Sequence, residues 1–292
     1  KVPYSFNGRF GESIQKLCGI TLAQEQDEET VTAPKVKGGA EAGLFGDAPK
    51  PSITLIGTSF SRSAQLDTNF LGFLKEYTQA DIYDATISGG GIDDPLIAYL
   101  SSADFKTSPP KMIVWEIPGH YVLARKDALF LDEIVPSALG ECSNPVADFK
   151  NNAVDGKTID LFQNISNKDV QGDGYYIRLK FDKPVDKKIE LLFHYEDNKD
   201  ASYSFKRNAR YPFDGLFHVQ LPYKKTKDGT LLTLDSIELT PDKQLSNLTV
   251  SGQLCPMPSD LITDIHGTTT DSKSSKNIGF MQKIKNYFSK GQ

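Results

Sequence analysis

The chain has 292 residues, of which 38% are hydrophobic and 24% charged, and its formal net charge is −5. This is the composition of a folded globular protein with enough apolar side chains for one large core or two ordinary ones. The mildly acidic balance argues against a nucleic-acid partner, and no window has the roughly 18 apolar residues of a transmembrane helix.

The chain is organised around one stretch, Ser52 to Arg62, which reads as a strand, a tight turn and the approach to a helix. The apolar run Ile53–Ile56 is of strand type and stops at Gly57. Ser59 follows in the turn, at the carboxyl end of the strand, where open α/β sheets bind their ligands. Backbone N–H groups at a helix start can also stabilise developing negative charge. Ser59 is therefore a candidate nucleophile; the alternative is that a hydroxyl of this turn only caps the helix.

The helix after this turn is indicated by apolar residues at helical spacing: Leu66, Phe70, Leu71, Phe73, Leu74 and Tyr77. Two further strands are predicted, at 81–87 before Ser88-Gly-Gly-Gly91 and at 111–116 before Pro118-Gly119-His120-Tyr121. Residues 92–100 between them are helix-like. Strands that alternate with helices predict a parallel α/β sheet, with the three turns together at one edge.

After Cys142 the pattern changes to alternating runs separated by turn residues, and it continues to Cys255. The clearest runs are 175–181, 189–195, 217–221 and 231–239. Strands at this spacing predict a β-sandwich module. A bridge between Cys142 and Cys255 would join its first strand to its last and contribute roughly 4–5 kcal/mol in the chain-entropy model. Cys18 is left over, which in an exported protein suggests a missing partner or a free thiol.

Residues 256–292 are predicted to form a polar linker followed by a basic amphipathic helix. The linker, 260–275, has few apolar residues and is expected to be flexible. Five apolar residues then share one helical face among lysines: Phe280, Met281, Ile284, Tyr287 and Phe288. This helix either packs back on its own domain or docks on a partner protein or an anionic membrane surface.

A serine, a glycine triplet and a His-Tyr pair thus stand at three strand ends. This is the layout that an SGNH-type acyl hydrolase or acyltransferase needs. Ser59 would attack an acyl carbon, and the N–H groups of Ser59, Gly90 and Gly91 would hold the oxyanion. The His120-Tyr121 pair would help to position the substrate. Taken alone, the glycines also suit a flexible turn or a phosphate cradle, and His120 an ordinary loop position.

Five motifs resemble, in order and at near-identical spacing, those of the alginate O-acetyltransferase AlgX family. They are Leu44-Phe-Gly-Asp47, Gly57-Thr-Ser-Phe-Ser61, Ser88-Gly-Gly-Gly-Ile-Asp93, Ser108-Pro-Pro-Lys111, and Val114-Trp-Glu116 with His120-Tyr121. The resemblance implies part of an SGNH-hydrolase-like α/β domain over 1–141. It also implies an all-β sandwich, a carbohydrate-binding module, over 142–255, flanked by a cysteine pair.

The resemblance also assigns roles to single residues near the serine. Ser59 matches the nucleophile of the family, and Tyr121 matches an aromatic residue that lines its substrate site. Arg62 and His120 are assigned to substrate binding with Tyr121. A tyrosine that the family carries six residues after its serine is absent, because Gln65 stands there, so part of the substrate contact differs.

In the carbohydrate module the resemblance points to Tyr195, which falls near an aromatic residue that the family uses to bind its polymer. Phe193 and Tyr195 share one face of their strand because side chains alternate along a strand. An aromatic pair on one face suits stacking on a sugar, and it equally suits a core.

The family's catalytic base comes from an Asp-x-His pair that precedes the serine block, whereas no histidine precedes Ser59 here. The chain therefore resembles the C-terminal portion of a longer protein, in keeping with the unpaired Cys18, whose family counterpart pairs near the N-terminus. Asp264-Ile-His266 matches the bare pattern but lies in the polar tail. Without a base, a serine is a weak nucleophile, so this chain alone is expected to be a poor catalyst.

The expected function is O-acetylation of a polyuronate polysaccharide such as alginate in the periplasm. Ser59 would take acetyl from a donor and pass it to a polymer hydroxyl, with no metal or other cofactor, beside proteins of an export or modification complex. One alternative is an SGNH-type acetylesterase that uses the same residues. Another is a non-catalytic polysaccharide-binding component of the export complex.

Overall fold

The structure, a computed structural model, describes residues 2–6, 9–21, 25–29, 51–61, 69–119, 129–207, 214–259 and 261. The predicted tail helix at 278–290 lies outside these residues. By backbone contacts the chain divides into two compact units. The first comprises Lys1–Gly89 and Met112–Glu116, and the second comprises Gly90–Lys111 and Ile117–Gln292.

The first unit contains five strands and two helices among its described residues. They are β1 (Val2–Phe6), α1 (Arg9–Cys18), β2 (Glu25–Glu29), β3 (Ile53–Ile56), α2 (Phe70–Thr78), β4 (Ile82–Asp84) and β5 (Met112–Trp115). Strands β1 and β2 form an antiparallel pair that the sequence did not predict. Strands β3, β4 and β5 are the three predicted strands.

These three strands form the parallel sheet that the sequence predicted. Its order is β4-β3-β5, so the strand that leads to Ser59 is the middle one. Ile53 is in register with Ile82 on one side and Met112 on the other. The apolar side chains of Leu55, Leu71 and Ile82 pack together in its core, where each is at most 4% exposed.

Helix α2 begins later than its apolar pattern indicates, at Phe70 rather than near Leu66. Its N-cap is Asn69, whose side-chain oxygen accepts a hydrogen bond from the Gly72 N–H at 2.7 Å. A hydroxyl of the turn around Ser59 therefore does not cap α2. The cap alternative is wrong because Asn69 already fills that position.

The second unit contains three α-helices, two 3₁₀ helices (Gly172–Gly174 and Glu196–Asn198) and eight strands among its described residues. The α-helices are α3 (Asp94–Ser101), α4 (Ala103–Thr107) and α5 (Phe130–Leu139). The strands are β6 (Ala147–Val154), β7 (Ile159–Gln163), β8 (Tyr175–Phe181), β9 (Ile189–Tyr195), β10 (Lys199–Phe205), β11 (Leu216–Gln220), β12 (Leu234–Pro241) and β13 (Leu248–Pro256).

The eight strands form the predicted sandwich, as two four-stranded antiparallel sheets of order β10-β9-β12-β7 and β11-β8-β13-β6. Inward side chains of both sheets share one apolar core. Phe205 of the first sheet and Phe217 of the second meet edge to face, with ring centroids 5.7 Å apart. The predicted bridge between Cys142 and Cys255 is confirmed, with Cα atoms 5.9 Å apart.

Helix α5 packs against β11 of the sandwich, and a buried ion pair joins it to Arg207, just beyond the end of β10. The Glu133 carboxylate accepts hydrogen bonds from both terminal nitrogens of Arg207, and the two side chains are 4% and 8% exposed. By backbone contacts, α3, α4 and α5 belong to the same compact unit as the sandwich, although they lie within residues 1–141, the predicted first domain. The domain boundary at 141 and 142 stays a prediction.

Candidate functional site

The turn after β3 presents Ser59 to solvent. The Ser61 N–H donates to the Thr58 carbonyl at 3.2 Å, which closes a turn with Ser59 and Phe60 at its centre. The ends of the turn are buried, since Thr58 is 4% exposed and Ser61 1%. Ser59 and Phe60 are both exposed. The turn is therefore anchored at its ends and open at the predicted nucleophile.

Both neighbouring strands extend along the base of this turn. The Ile87 N–H, beyond the end of β4, donates to the Gly57 carbonyl at 2.9 Å. On the other side, the Glu116 N–H beyond β5 donates to the Ile56 carbonyl at 2.8 Å. The carboxyl ends of all three strands thus meet at one edge of the sheet, as parallel pairing requires, and Ser59 follows the central strand.

The side chain of Glu116 is the principal polar partner of the turn. Its Oε2 atom accepts hydrogen bonds from the Thr58 N–H at 2.8 Å, the Thr58 hydroxyl at 3.1 Å and the Ser61 hydroxyl at 3.1 Å. The Thr58 hydroxyl oxygen in turn accepts from the Phe60 N–H at 3.3 Å. No sequence pattern assigned a role to Glu116, although the residue closes the Val114-Trp-Glu116 motif.

Position 57 has room only for glycine, because Glu116 and Ser61 lie close to its backbone. A Cβ atom at this position would lie 2.7 Å from Glu116 Oε2 and 2.9 Å from Ser61 Oγ. Both distances are too short for unstrained contacts, so a larger residue would displace the carboxylate or the serine. The absence of a side chain at Gly57, which ends the apolar run in the sequence, thus makes room for the Glu116 carboxylate.

The Ser59 N–H and hydroxyl make no hydrogen bond with the part of the chain that the structure describes. A backbone N–H that is not used within the turn can donate to an oxyanion. The predicted oxyanion partners Gly90 and Gly91 belong to the second unit, where Gly91 has a φ of +67°. Their role in an oxyanion hole stays a prediction.

The other predicted partners of the site fall outside the described residues. They are Arg62, His120, Tyr121 and the Asp264-Ile-His266 sequence. Within the two segments of the first unit, none of the residues is a histidine. Ser59 therefore has no imidazole partner in the unit that positions it.

The substrate-binding role predicted for Tyr195 is wrong. Its side chain is 1% exposed and points into the sandwich core, so it cannot stack on a polymer. Its hydroxyl donates to the Pro222 carbonyl at 2.6 Å, and burial raises the pKa of the phenol. Phe193, on the same strand face, is completely buried. The core alternative is the one that the structure shows.

Tyr223 is an exposed aromatic residue of the sandwich. It directly follows Pro222, whose carbonyl accepts the hydrogen bond from the Tyr195 hydroxyl. Tyr223 is 43% exposed, and Lys225 Nζ lies 4.8 Å from its ring centroid. The sequence around it, Tyr223-Lys-Lys-Thr-Lys227, adds two more cations, and a bridge between Lys225 and Leu231 orders this loop. Tyr223 could not be predicted from the sequence, because a lone tyrosine in a lysine-rich turn carries no periodicity.

The two described histidines both lie in the second unit. His194 Nδ1 is 2.9 Å from an Asp200 carboxylate oxygen. His218 is 2% exposed, and burial lowers the pKa of its imidazole. The described residues contain no cluster of three or more histidine, cysteine or acidic side chains able to hold a metal ion. Over the same residues, no helix has the length and apolar character needed to cross a membrane.

Comparison with known proteins confirms the resemblance found in the sequence. The family model for the SGNH hydrolase-like domain of the acetyltransferase AlgX matches residues 2–119. The alginate biosynthesis protein AlgX of Pseudomonas aeruginosa is 28% identical over 252 residues, which cover 85% of this chain and 51% of that protein. AlgX of Azotobacter vinelandii is 29% identical over 252 residues, covering 82% and 49%.

A second group of relatives matches a shorter part of the chain. The probable alginate O-acetylase AlgJ of Pseudomonas aeruginosa is 35% identical over 108 residues, 36% of this chain and 27% of that protein. A solved structure of Pseudomonas aeruginosa AlgX superposes with a TM-score of 0.69 at 25% identity, covering 88% of this chain and 59% of that one. The chain spans about half the length of the curated AlgX relatives that it matches.

Proposed function

We propose, for a chain similar to AlgX over 85% of its length, that it carries the serine nucleophile and the polymer-binding module of an alginate-type polysaccharide O-acetyltransferase. The observation that carries this proposal is the Ser59 turn. Ser59 is exposed at the end of the central strand, while Thr58 and Ser61 on either side are buried and hydrogen-bonded to Glu116.

The chemistry proposed for Ser59 is acyl transfer in two steps. In the first, its Oγ forms a bond to the acetyl carbon of a donor, the donor's leaving group departs with its electron pair, and the serine proton passes to a general base. The base then gives this proton to the leaving group. In the second step a polymer hydroxyl bonds to the acetyl carbon, the ester bond to Ser59 Oγ breaks, and the base transfers the proton of the polymer hydroxyl to Oγ. The unused Ser59 N–H would donate to the oxyanion of both steps.

The general base of the proposal comes from outside the first unit, since that unit holds no histidine. An unactivated serine hydroxyl is almost entirely protonated near neutral pH. We therefore expect slow acetylation of the chain by itself, and fast transfer only when an imidazole with its orienting carboxylate is supplied. The proposal places the reaction in the periplasm, beside proteins that export or modify the polymer.

The sandwich is proposed to hold the polymer through the loop that carries Tyr223. An exposed aromatic ring offers an apolar face to the C–H groups of a sugar. The three lysines of this loop supply charge opposite to the carboxylates of a polyuronate, within an otherwise acidic chain. The base of this loop is held in place, because the Tyr195 hydroxyl donates to the Pro222 carbonyl there.

Acetylation of the full chain by p-nitrophenyl acetate tests the serine nucleophile. Peptide mass analysis is expected to find acetyl on Ser59, and Ser59→Ala is expected to lose that adduct without a change in thermal stability. Ser52→Ala is the matched control, because Ser52 is an exposed serine just before β3. Acetyl spread equally over Ser52 and surface lysines, with none on Ser59, would refute the proposal. Added polyuronate oligosaccharides then separate a transferase, which acetylates them, from an esterase, which does not.

A further inference from the structure

We infer that Glu116 is the positioning residue of the nucleophile. Its carboxylate fixes the residues on both sides of Ser59 and thereby sets the orientation of the serine hydroxyl. The inference rests on the proposed role of Ser59 and adds to it the side chain that orients this residue.

The geometry concentrates three donors on one carboxylate oxygen. Glu116 Oε2 accepts from the N–H and the hydroxyl of Thr58 and from the hydroxyl of Ser61, at 2.8–3.1 Å. Hydrogen bonds to an ionised acceptor are about twice as strong as neutral ones. The Ser61 N–H bond to the Thr58 carbonyl would close a turn without any carboxylate. The three additional bonds restrict the conformation of the turn further, in the way that supporting side chains hold a reacting group in place.

The same geometry distinguishes positioning from proton transfer. A general base must lie within hydrogen-bond reach of the proton that it removes. Glu116 Oε2 is bonded to the neighbours of Ser59, and no hydrogen bond joins it to the Ser59 hydroxyl among the described contacts. Its charge faces the donors inside the turn. Glu116 thus acts through Thr58 and Ser61.

Gly57 provides an independent way to disturb this arrangement. Its φ lies outside the left-handed region, so alanine is compatible with the backbone at this position, but the new Cβ would lie 2.7 Å from Glu116 Oε2. Gly57→Ala therefore crowds the Glu116 carboxylate and the Ser61 hydroxyl bonded to it, while leaving both groups in the protein. Thr58→Val is a third variant, because it removes one donor to Glu116 at nearly constant shape.

The test measures acetylation of Ser59 against p-nitrophenyl acetate concentration in the full chain. Glu116→Ala is expected to lower the limiting rate roughly 10- to 100-fold, as displacement of a reacting group by an ångström does, with the half-saturating ester concentration unchanged. Glu116→Gln keeps an acceptor oxygen and is expected to recover most of the rate. The pH profile of the residual reaction is expected to match that of the parent chain, whereas loss of a general base would remove a titrating limb.

Amide hydrogen exchange of Thr58 gives a second readout that does not depend on acetylation. Its N–H is expected to exchange roughly tenfold faster in Glu116→Ala, since a hydrogen bond to a charged acceptor is lost. If the parent chain takes no acetyl on Ser59, the proposed function fails, and exchange of this N–H still decides the inference. Unchanged acetylation and exchange in both Glu116→Ala and Gly57→Ala would overturn it. Gly57→Ala and Thr58→Val serve if Glu116→Ala does not fold.

Discussion

Replacing Glu133 by glutamine is expected to destabilise the second unit by about 3–5 kcal/mol, because the change removes the carboxylate that is hydrogen-bonded to the buried Arg207 guanidinium. The side chains of the pair are 4% and 8% exposed. Burial raises the pKa of Glu133 and Arg207 lowers it, so the carboxylate depends on this cation. The Arg207 guanidinium also lies 5.0 Å from the Phe217 ring centroid, an attraction that survives the change and contributes about 1–2 kcal/mol.

A surface pair in the same unit provides the matched control. Lys188 and Glu190 are 3.2 Å apart, but their side chains are 54% and 41% exposed, and such pairs contribute about 0–1 kcal/mol. Glu190→Gln is therefore expected to change little. Replacing Glu133 by leucine together with Arg207 by methionine is expected to recover most of the lost stability, since neither charge of the pair then remains buried.

Urea unfolding followed by far-UV circular dichroism measures these differences. Trp115, the single tryptophan of the chain, lies on β5 of the first unit, so its fluorescence follows that unit separately. A loss of 3–5 kcal/mol corresponds to roughly 6–20 °C in melting temperature for a unit of this size. If Glu133→Gln costs no more than Glu190→Gln, the account of the pair as a buried charge couple is refuted.

Three further outcomes follow from the second unit. Replacing Cys142 and Cys255 by serine is expected to cost roughly 4–5 kcal/mol in the chain-entropy model, as measured by urea unfolding, and an unchanged midpoint would contradict it. Burial raises the pKa of Asp94 from 3.8 to about 6. The folding stability that its protonated carboxyl contributes is therefore complete below about pH 4 and is lost as the pH rises through 6. Asp94→Asn is expected to melt higher than the parent near neutral pH but not at about pH 4, and an equal difference at both would exclude this carboxyl as the cause. Tyr223→Ala is expected to weaken polyuronate binding by roughly 2- to 13-fold, from about 0.5–1.5 kcal/mol for an aromatic face. Tyr77→Ala, which removes an exposed tyrosine of the first unit, is the control, and equal binding by both variants would contradict a polymer contact at Tyr223.

The strands with strict alternation could be predicted from the sequence. Runs 175–181 and 189–195 coincide with β8 and β9 because their side chains alternate between the sandwich core and the outside. Strand β10, Lys199–Phe205, was missed: it stands at the edge of its sheet, and its first positions are polar and exposed. An edge strand takes much of its order from its neighbour, here β9, and sequence patterns do not encode that pairing.

The candidate site, like the strands, could be predicted only in part. Ser59 could be found because a strand, a glycine and hydroxyl residues adjoin in sequence. Glu116 could not, since its contact with Thr58 spans 58 positions. Tyr195 was misassigned because alternation tells which side chains share a strand face but not whether that face is covered. The opposite sheet decides this, and no local pattern reports its position.

The connectivity of the first unit has a consequence for how the protein folds during synthesis. Strand β5 is separated from the rest of that unit by residues 90–111, which belong to the second unit. The ribosome must therefore release residue 116 before the edge of the sheet that holds Ser59 is complete, and part of the second unit emerges earlier. Domains usually fold as units from the N-terminus onward, but this order is interrupted here. No single cut of the chain yields both units whole, and a cut between 90 and 111 would leave the nucleophile and the strand that precedes Glu116 on different fragments.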